Sequence, residues 1–178
     1  MYLSSKRILR MGYIRMKQKN LYLMCGPAGS GKTTWVNAQM ANATCKCIHI
    51  SRDVVRNTFL TDEDKNMFAY EDDVFDEFCR QVEAAIEDES GADAIFVDAT
   101  HLSEKARNRV LDKLNLENVD IYPVVFNLPL YQILNQNEQR RGKGRTYVPR
   151  SVIRRMYAQF SPPTDHEKYK YKKILKIG

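Results

Sequence analysis

A glycine-rich segment constrains the fold more than any other part of the sequence. Residues 24–35 read MCGPAGSGKTTW; the apolar run 21–25 leads into the glycines, and a helical pattern follows them. Gly26, Gly29 and Gly31 permit backbone conformations that other residues rarely adopt, so consecutive N–H groups can turn towards one point. The following helix directs the positive end of its dipole at the same point. The segment therefore predicts a strand, an anion-binding loop and a helix in direct succession.

The rest of the chain alternates short apolar runs with longer amphipathic patterns. Strand candidates are the apolar runs 21–25, 47–51, 94–98, 121–127 and 172–177. Helical spacing is clearest within 71–90, where apolar residues recur every three or four positions on an otherwise acidic segment. Further helices are predicted at 103–116, 130–139 and 149–160, with Ser103 as an N-cap. This alternation predicts an α/β fold, a parallel sheet of about five strands flanked by helices.

Composition predicts one domain and a distinct N-terminus. The first 19 residues carry six basic side chains and no acid. We interpret 1–19 as a basic extension that is either disordered or the result of a mis-assigned start, with Met11 and Met16 as alternative starts, and 20–178 as one domain. The chain has neither a run of roughly 20 apolar residues nor a secretory signal. Its four cysteines form no C-x-x-C pair, so we expect a cytoplasmic protein with reduced thiols and no membrane partner.

The glycine-rich segment also matches a motif with a defined chemistry. GPAGSGKT satisfies G-x-x-x-x-G-K-[ST], the P-loop or Walker A pattern, in the strand-to-helix context that the pattern requires. Lys32 is predicted to bridge the β- and γ-phosphates of ATP, and the Thr33 hydroxyl is predicted to ligate Mg²⁺. The predicted nucleotide contacts are Gly26, Ala28, Gly29, Ser30, Gly31, Lys32, Thr33 and Thr34. A glycine-rich turn that binds nothing is the alternative.

A P-loop identifies the donor but not the acceptor. Switch GTPases need a guanine-reading N-K-x-D, and motor ATPases are usually far longer than 178 residues. Neither feature is present, which favours a small phosphotransferase. We expect a nucleoside triphosphate to be the donor of the transferred phosphoryl group.

Polar residues follow the second and third strand candidates. Ligands bind outside the carboxyl ends of parallel strands, so Asp53 and Arg56 in ISRDVVR are predicted to lie on the rim of the P-loop. Asp53 would accept the proton of an attacking hydroxyl, and Arg56 would bind a phosphate of the acceptor. Alternatively, Asp53 caps a helix and Arg56 pairs with a surface acid. In FVDATH, Asp98 resembles a Walker B acid, and Thr100 is predicted to contact the acceptor. His101 is interpreted as incidental, with a substrate contact as the alternative.

A basic segment without any acid spans 139–164. Its basic residues are Arg140, Arg141, Lys143, Arg145, Arg150, Arg154 and Arg155. Gly142 and Gly144 predict a mobile lid whose closure places an arginine beside the transferred phosphoryl group. A solubilising loop is the alternative. A net charge of +6, concentrated here, favours a polyanionic partner.

Over most of 21–157 these residues resemble the polynucleotide 5′-hydroxyl kinases of the bacteriophage type. The matching segments are GPAGSGKTTW, ISRDVVR, VDATHLSEKAR and VFNLPLYQILNQNEQRRG with VPRSVIRRMY. The resemblance implies ATP-dependent phosphorylation of the 5′-hydroxyl ends of DNA or RNA in nucleic acid repair. It implies that Asp53 is the general base, that Arg56 binds the phosphate 3′ to the acceptor nucleoside and that Asp98 is an essential acid. Either Arg140 or Arg141 would be the lid arginine.

Departures from the family pattern leave alternatives open. Gln136 stands before Asn137 where the family often has arginine, so one phosphate contact is either missing or moved to Arg145. The chain lacks the phosphatase motif D-x-D-G-T and the ligase motif K-x-D-G, which indicates a stand-alone kinase. A P-loop kinase of a small metabolite or nucleoside is the second interpretation, and a nucleic-acid-binding or regulatory module is the third. Oligomeric state and the choice between DNA and RNA stay open.

Overall fold

The structure, a computed structural model, describes residues 18–61, 69–141 and 147–178. These residues contain five strands: β1 (Lys19–Cys25), β2 (Cys47–Ser51), β3 (Ala94–Asp98), β4 (Val119–Phe126) and β5 (Leu175–Ile177). The strands form one sheet in the order β2-β3-β1-β4-β5, and every neighbouring pair is parallel. This is the P-loop NTPase fold, and it confirms the predicted α/β class.

Six helices are described around this sheet. They are α1 (Lys32–Ala41), α2 (Arg52–Phe59), α3 (Glu71–Glu87), α4 (Glu104–Leu111), α5 (Leu130–Glu138) and α6 (Arg150–Gln159). The predicted N-cap Ser103 is confirmed, because its Oγ accepts a hydrogen bond of 3.3 Å from the backbone N–H of Ala106. Among the described residues, every helix is too short or too polar to cross a bilayer.

Each face of the sheet is buried by different helices. One face packs side chains such as Leu23 and Ile95 against α2, α3 and α4, with Phe78 of α3 at the centre. The other face packs Phe96 and Phe126 beneath Trp35 of α1, whose indole meets both rings edge-on. Because β3 lies between two strands and has both faces covered, all five of its residues are buried. Packing on both faces therefore fixes the strand ends that carry the site.

Several element boundaries differ from the sequence expectation; α4, for example, ends at Leu111 rather than at residue 116. β1 begins at Lys19, whose buried ammonium donates to the carbonyl oxygens of Ala85 (3.0 Å), Asp88 (2.6 Å) and Ala92 (3.0 Å). Lys19 is therefore part of the sheet rather than of the basic extension, and residues 1–17 of that extension lie outside the described residues. β5 is limited to Leu175–Ile177, the residues in register with β4, although the N–H of Lys172 also donates to the carbonyl oxygen of Ile121 at 2.8 Å.

The sheet brings the predicted functional segments to one edge. The P-loop follows β1, α2 begins directly after β2, and Asp98 ends β3. Helices α5 and α6 pack on each other through Ile133, Leu134 and Ile153. They flank residues 142–146, so the lid residues Gly142, Lys143, Gly144 and Arg145 lie outside the described residues.

Candidate active site

The loop between β1 and α1 is built around its glycines. A Cβ at Gly26 would lie 2.9 Å from the carbonyl oxygen of Phe126, closer than real contacts allow. Gly31 has φ +95°, in the left-handed region that favours glycine. The N–H of Gly26 donates to the carbonyl oxygen of Thr100 at 2.9 Å, which attaches the loop to the segment after β3. The predicted succession of strand, glycine-bearing loop and helix is therefore present.

Lys32 lies at the centre of the loop, with only 8% of its surface exposed. Its Nζ donates to the carbonyl oxygens of Gly26 (2.9 Å) and Pro27 (2.8 Å). Burial lowers the pKa of Lys32 to about 8, against the opposing effect of the negative charges of Asp98 and Asp53. An ammonium held in this way gains a stronger partner when a phosphate enters the loop.

Thr33, Asp98 and His49 form a hydrogen-bonded group beside Lys32. Thr33 Oγ1 donates to Asp98 Oδ2 at 2.8 Å, and His49 Nε2 lies 3.1 Å from the same oxygen. Burial raises the pKa of Asp98, but hydrogen bonds from His49 and Thr33 and the charge of Lys32 outweigh it and lower the pKa. A hydroxyl and an ionised carboxylate beside a phosphate-binding loop fit Mg²⁺, which prefers oxygen ligands and keeps several waters.

The acceptor side is organised by α2 and the start of α3. Arg56 NH1 contacts Asp53 Oδ1, and Arg56 Nε donates to Glu71 Oε1 at 2.5 Å. Arg52 NH2 donates to the other oxygen of Glu71 at 2.7 Å. Arg56 is buried, whereas the Asp53 side chain is 77% exposed. The pairing of Arg56 with acids, which was the alternative interpretation, is therefore present, and both of these acids, Asp53 and Glu71, also line a cavity.

The two candidate lid arginines have different environments. Arg140 lines both of the cavities that adjoin the P-loop. Arg141 Nε instead lies 3.0 Å from Glu138 Oε1, and its guanidinium lies 4.5 Å from the centre of the Tyr147 ring. Of the two, Arg140 is therefore the one directed towards the P-loop.

Two cavities meet at Arg140. One, of about 590 Å³, joins the P-loop to the acceptor residues. Its lining contains ten of the predicted site residues: Ala28, Gly29, Gly31, Lys32, Thr33, Asp53, Arg56, Asp98, Thr100 and Arg140. The other, of about 740 Å³, is lined by Ser30 and Thr34 together with apolar residues of α1, β4 and β5. Gly26 is buried beneath the loop, and Arg141 lines neither of these two cavities.

The model of the AAA domain family matches residues 21–163, which include the P-loop, the acceptor residues and both lid helices. The chain belongs to the AAA domain family. No curated protein sequence matches this AAA domain. Its P-loop and fold are those of nucleotide-binding domains.

Solved structures of several kinases share the fold of this AAA domain. A chain of the Pnkp1/Rnl/Hen1 RNA repair complex is 23% identical with a TM-score of 0.67, over 80% of this chain and 44% of that one. A fungal RNA kinase is 14% identical with a TM-score of 0.59, over 91% of this chain and 38% of that one. A sugar kinase from Janibacter sp. HTCC2649 is 18% identical with a TM-score of 0.58, over 89% of this chain and 85% of that one. The AAA domain thus spans less than half of either RNA-related chain.

Some residues of the site in this AAA domain had no distinguishing signal in the sequence. Glu71 is one of many acids in the stretch before and within α3, and His49 lies within an apolar run. Only the fold brings Glu71 to Arg56 and His49 to Asp98. His101 is buried, and its Nδ1 lies 2.7 Å from the carbonyl oxygen of Met24. It is absent from the lining of both cavities, in agreement with its interpretation as incidental to the substrate.

Proposed function

We propose that this protein transfers the γ-phosphoryl group of ATP to the 5′-hydroxyl end of DNA or RNA. The observation that carries the proposal is the cavity of about 590 Å³, which joins the P-loop to Asp53 and Arg56 with Arg140 beside both. A donor phosphate on Lys32 and an acceptor hydroxyl on Asp53 would share this space. Phosphoryl transfer needs mainly positioning and charge stabilisation, and the cavity supplies residues for both.

The reaction assigns one role to each side of the cavity. Asp53 would accept the proton of the 5′-hydroxyl as that oxygen bonds to the γ-phosphorus, and the bond to the β-phosphate oxygen would break to release ADP. Lys32 and Arg140 would stabilise the charge of the transferred group. Thr33 and Asp98 would hold Mg²⁺, which neutralises charge on the β- and γ-phosphates when it is bound.

The composition of the cavity wall supports a nucleotide acceptor over a free sugar. Val148, Pro149, Val152 and Met156 form an apolar side of the cavity beside Tyr147. A nucleobase can cover such a surface, whereas a sugar has hydroxyl groups that need hydrogen-bonding partners. Arg56 lines the same cavity, and its guanidinium suits a phosphate. A nucleic acid end carries both a base and a phosphate.

The experiment is mass spectrometry of a short 5′-hydroxyl oligonucleotide, as DNA and as RNA, after incubation with the protein, ATP and Mg²⁺. We expect a gain of one phosphate at the 5′ end. Lys32→Ala should abolish the gain because it removes the ammonium that contacts the donor. Asp53→Asn should lower turnover by roughly 10²- to 10⁴-fold while ATP still binds.

An alternative acceptor gives a different result in the same experiment. The fold is shared with a sugar kinase over most of that chain's length, so a metabolite kinase is the second candidate. ATP binding without a mass gain on either oligonucleotide would contradict the proposal and favour a metabolite. Phosphorylation of one oligonucleotide type alone would define the preference between DNA and RNA.

A further inference from the structure

Glu71 joins the two arginines at the acceptor end of the cavity. Its Oε1 accepts from Arg56 Nε at 2.5 Å, and its Oε2 accepts from Arg52 NH2 at 2.7 Å. All three residues line the cavity of about 590 Å³, as does Asp53. Glu71 is thus the only described carboxylate on this cavity that contacts both arginines.

The positive charges of Arg52 and Arg56 repel each other, so a carboxylate shared between the two guanidinium groups stabilises their arrangement. Arg52 and Arg56 are four residues apart on α2 and lie on the same helix face, where two positive charges repel. Burial and the charge of Arg56 lower the pKa of Arg52, and Glu71 opposes the shift. Burial also raises the pKa of Glu71, but its hydrogen bond from Arg56 and the charges of both arginines lower it overall. Glu71 therefore stays ionised between them.

The position of Glu71 follows from the start of α3. It is the first residue of that helix, where a negative side chain interacts favourably with the helix dipole. Phe75, one turn later, lies 5.4 Å from the Arg52 guanidinium, measured to the ring centre. Arg52 is therefore held by a carboxylate and by an aromatic ring of the same helix.

Arg56 is fixed from two directions. Its Nε donates to Glu71, while its NH1 contacts Asp53. A guanidinium is planar, so two separate contacts define the orientation of the whole group. Only 10% of the Arg56 side chain is exposed, on the cavity that would admit the acceptor.

We propose that Glu71 is a positioning residue of the acceptor site: its two carboxylate oxygens fix Arg52 and Arg56, so that Arg56 is held against Asp53 and directed at a phosphate of the acceptor. The part concerning the acceptor rests on the proposed function. Without Glu71, the repulsion between the two arginines is no longer offset, and Arg56 loses the contact at Nε that fixes the orientation of its guanidinium. Acceptors that carry a phosphate should then lose their advantage over acceptors without one.

Two variants of Glu71 and one matched control test this role. Glu71→Ala removes both oxygens, and Glu71→Gln keeps a single acceptor oxygen, so its effect should be intermediate. Glu77→Ala is the control, because Glu77 holds Arg80 on the same helix through hydrogen bonds of 2.6 and 2.8 Å but does not line the cavity. Circular dichroism of each variant establishes that the fold is retained.

The first measurement needs no substrate. Hydrogen exchange of the Arg56 Nε–H, followed by NMR and assigned by its loss in Arg56→Lys, should be slow in the wild type. Glu71→Ala should accelerate it at least about 10-fold because the hydrogen bond to the carboxylate is lost. Unchanged exchange in Glu71→Ala, or equal acceleration in Glu77→Ala, overturns the positioning role whatever the acceptor is.

The second measurement compares adenosine 3′-monophosphate with adenosine as phosphoryl acceptors. Glu71→Ala should lower kcat/KM for the phosphate-bearing acceptor by about 10- to 100-fold, because Arg56 is misplaced, and should leave KM for ATP unchanged. The ratio of kcat/KM for adenosine 3′-monophosphate to kcat/KM for adenosine should therefore fall towards a value of 1. An unchanged preference refutes the acceptor part of the proposal. A wild type that phosphorylates no nucleic acid or nucleoside contradicts the proposed function instead, while the exchange measurement still decides whether Glu71 positions Arg56.

Discussion

At the scale of single residues, Lys32 shows how burial couples nucleotide binding to pH. Burial lowers its pKa to about 8 in the free protein, so a substantial fraction is neutral between pH 8 and 9. A triphosphate favours the ammonium and raises this pKa, so binding at pH 8.5 should take up a proton. ATP affinity should therefore fall as the pH rises above 8.

Calorimetric titration with ATP at pH 8.5, in two buffers of different ionisation enthalpy, measures this uptake directly. The apparent binding enthalpy should depend on the buffer for the wild type and much less for Lys32→Arg, whose guanidinium stays charged. Equal enthalpies in both buffers for the wild type would mean that Lys32 is fully charged before ATP binds.

Arg140 and Arg141 are adjacent in sequence but face different surroundings. Arg140 lines both cavities, whereas Arg141 is engaged by Glu138 and Tyr147. Arg140→Ala should lower kcat by roughly 10³- to 10⁵-fold, the range found for arginines that stabilise a transferred phosphoryl group. Arg141→Ala should stay within a few-fold of the wild type. Steady-state kinetics with a saturating acceptor separates them, and the reverse ranking would assign the lid role to Arg141.

At the scale of elements, the sequence predicts the strands and helices better than it predicts the contacts between them. The alternation of apolar runs indicates β3 because a strand buried on both faces is apolar throughout. The Ser103 cap and the acidic helix α3 follow from local rules as well. The pairing of Glu71 with Arg56 depends on how α2 packs against α3, which no local pattern encodes. The sequence places Lys19 in the basic extension because nothing near it in sequence indicates a partner. Its three carbonyl partners are distant in sequence and come together only in the folded protein.

The segment between β3 and α4 supports the P-loop from beneath. His101 Nδ1 lies 2.7 Å from the carbonyl oxygen of Met24, and burial lowers the pKa of His101 to about 4. His101 therefore takes up a proton less readily in the folded protein than in the unfolded chain, where its pKa is near 6.5. The stability that His101 contributes is present above pH 6.5 and is lost as the pH falls from 6.5 to 4.

His101→Asn tests this dependence. Asparagine can donate to the same carbonyl oxygen and tolerates the left-handed φ of 39° at this position. Urea unfolding at pH 7 and at pH 4 measures the free energy of unfolding at each pH. Between pH 7 and pH 4 this free energy should fall by about 3 kcal/mol more in the wild type than in His101→Asn. Parallel losses in the two proteins would show that His101 does not set the pH dependence.

At the scale of the whole molecule, one buried ion pair joins α4 to the segment that leads into β5. Arg107 is fully buried, and its Nε donates to Glu167 Oε2 at 2.9 Å. Its NH1 also donates to the carbonyl oxygens of His101 and Ser161, both at 3.0 Å. Tyr171 donates to Glu167 Oε2 at 2.6 Å. The pair therefore connects residues near the end of the chain with the segment that supports the P-loop.

Loss of one partner of this pair should be more harmful than loss of both. Glu167→Gln leaves the Arg107 guanidinium buried without a countercharge, and we expect a loss of about 3 to 5 kcal/mol in the free energy of unfolding. Arg107→Met combined with Glu167→Leu removes both charges and should cost less, because apolar side chains of similar size need no countercharge. Asp72→Ala is the surface control: its exposed ion pair with Arg109 should contribute about 1 kcal/mol or less. Urea denaturation of the three variants gives these values. A double variant no more stable than Glu167→Gln would mean that the hydrogen bonds lost with the pair, from Tyr171 to Glu167 and from Arg107 to two carbonyl oxygens, outweigh the removal of the unpaired charge.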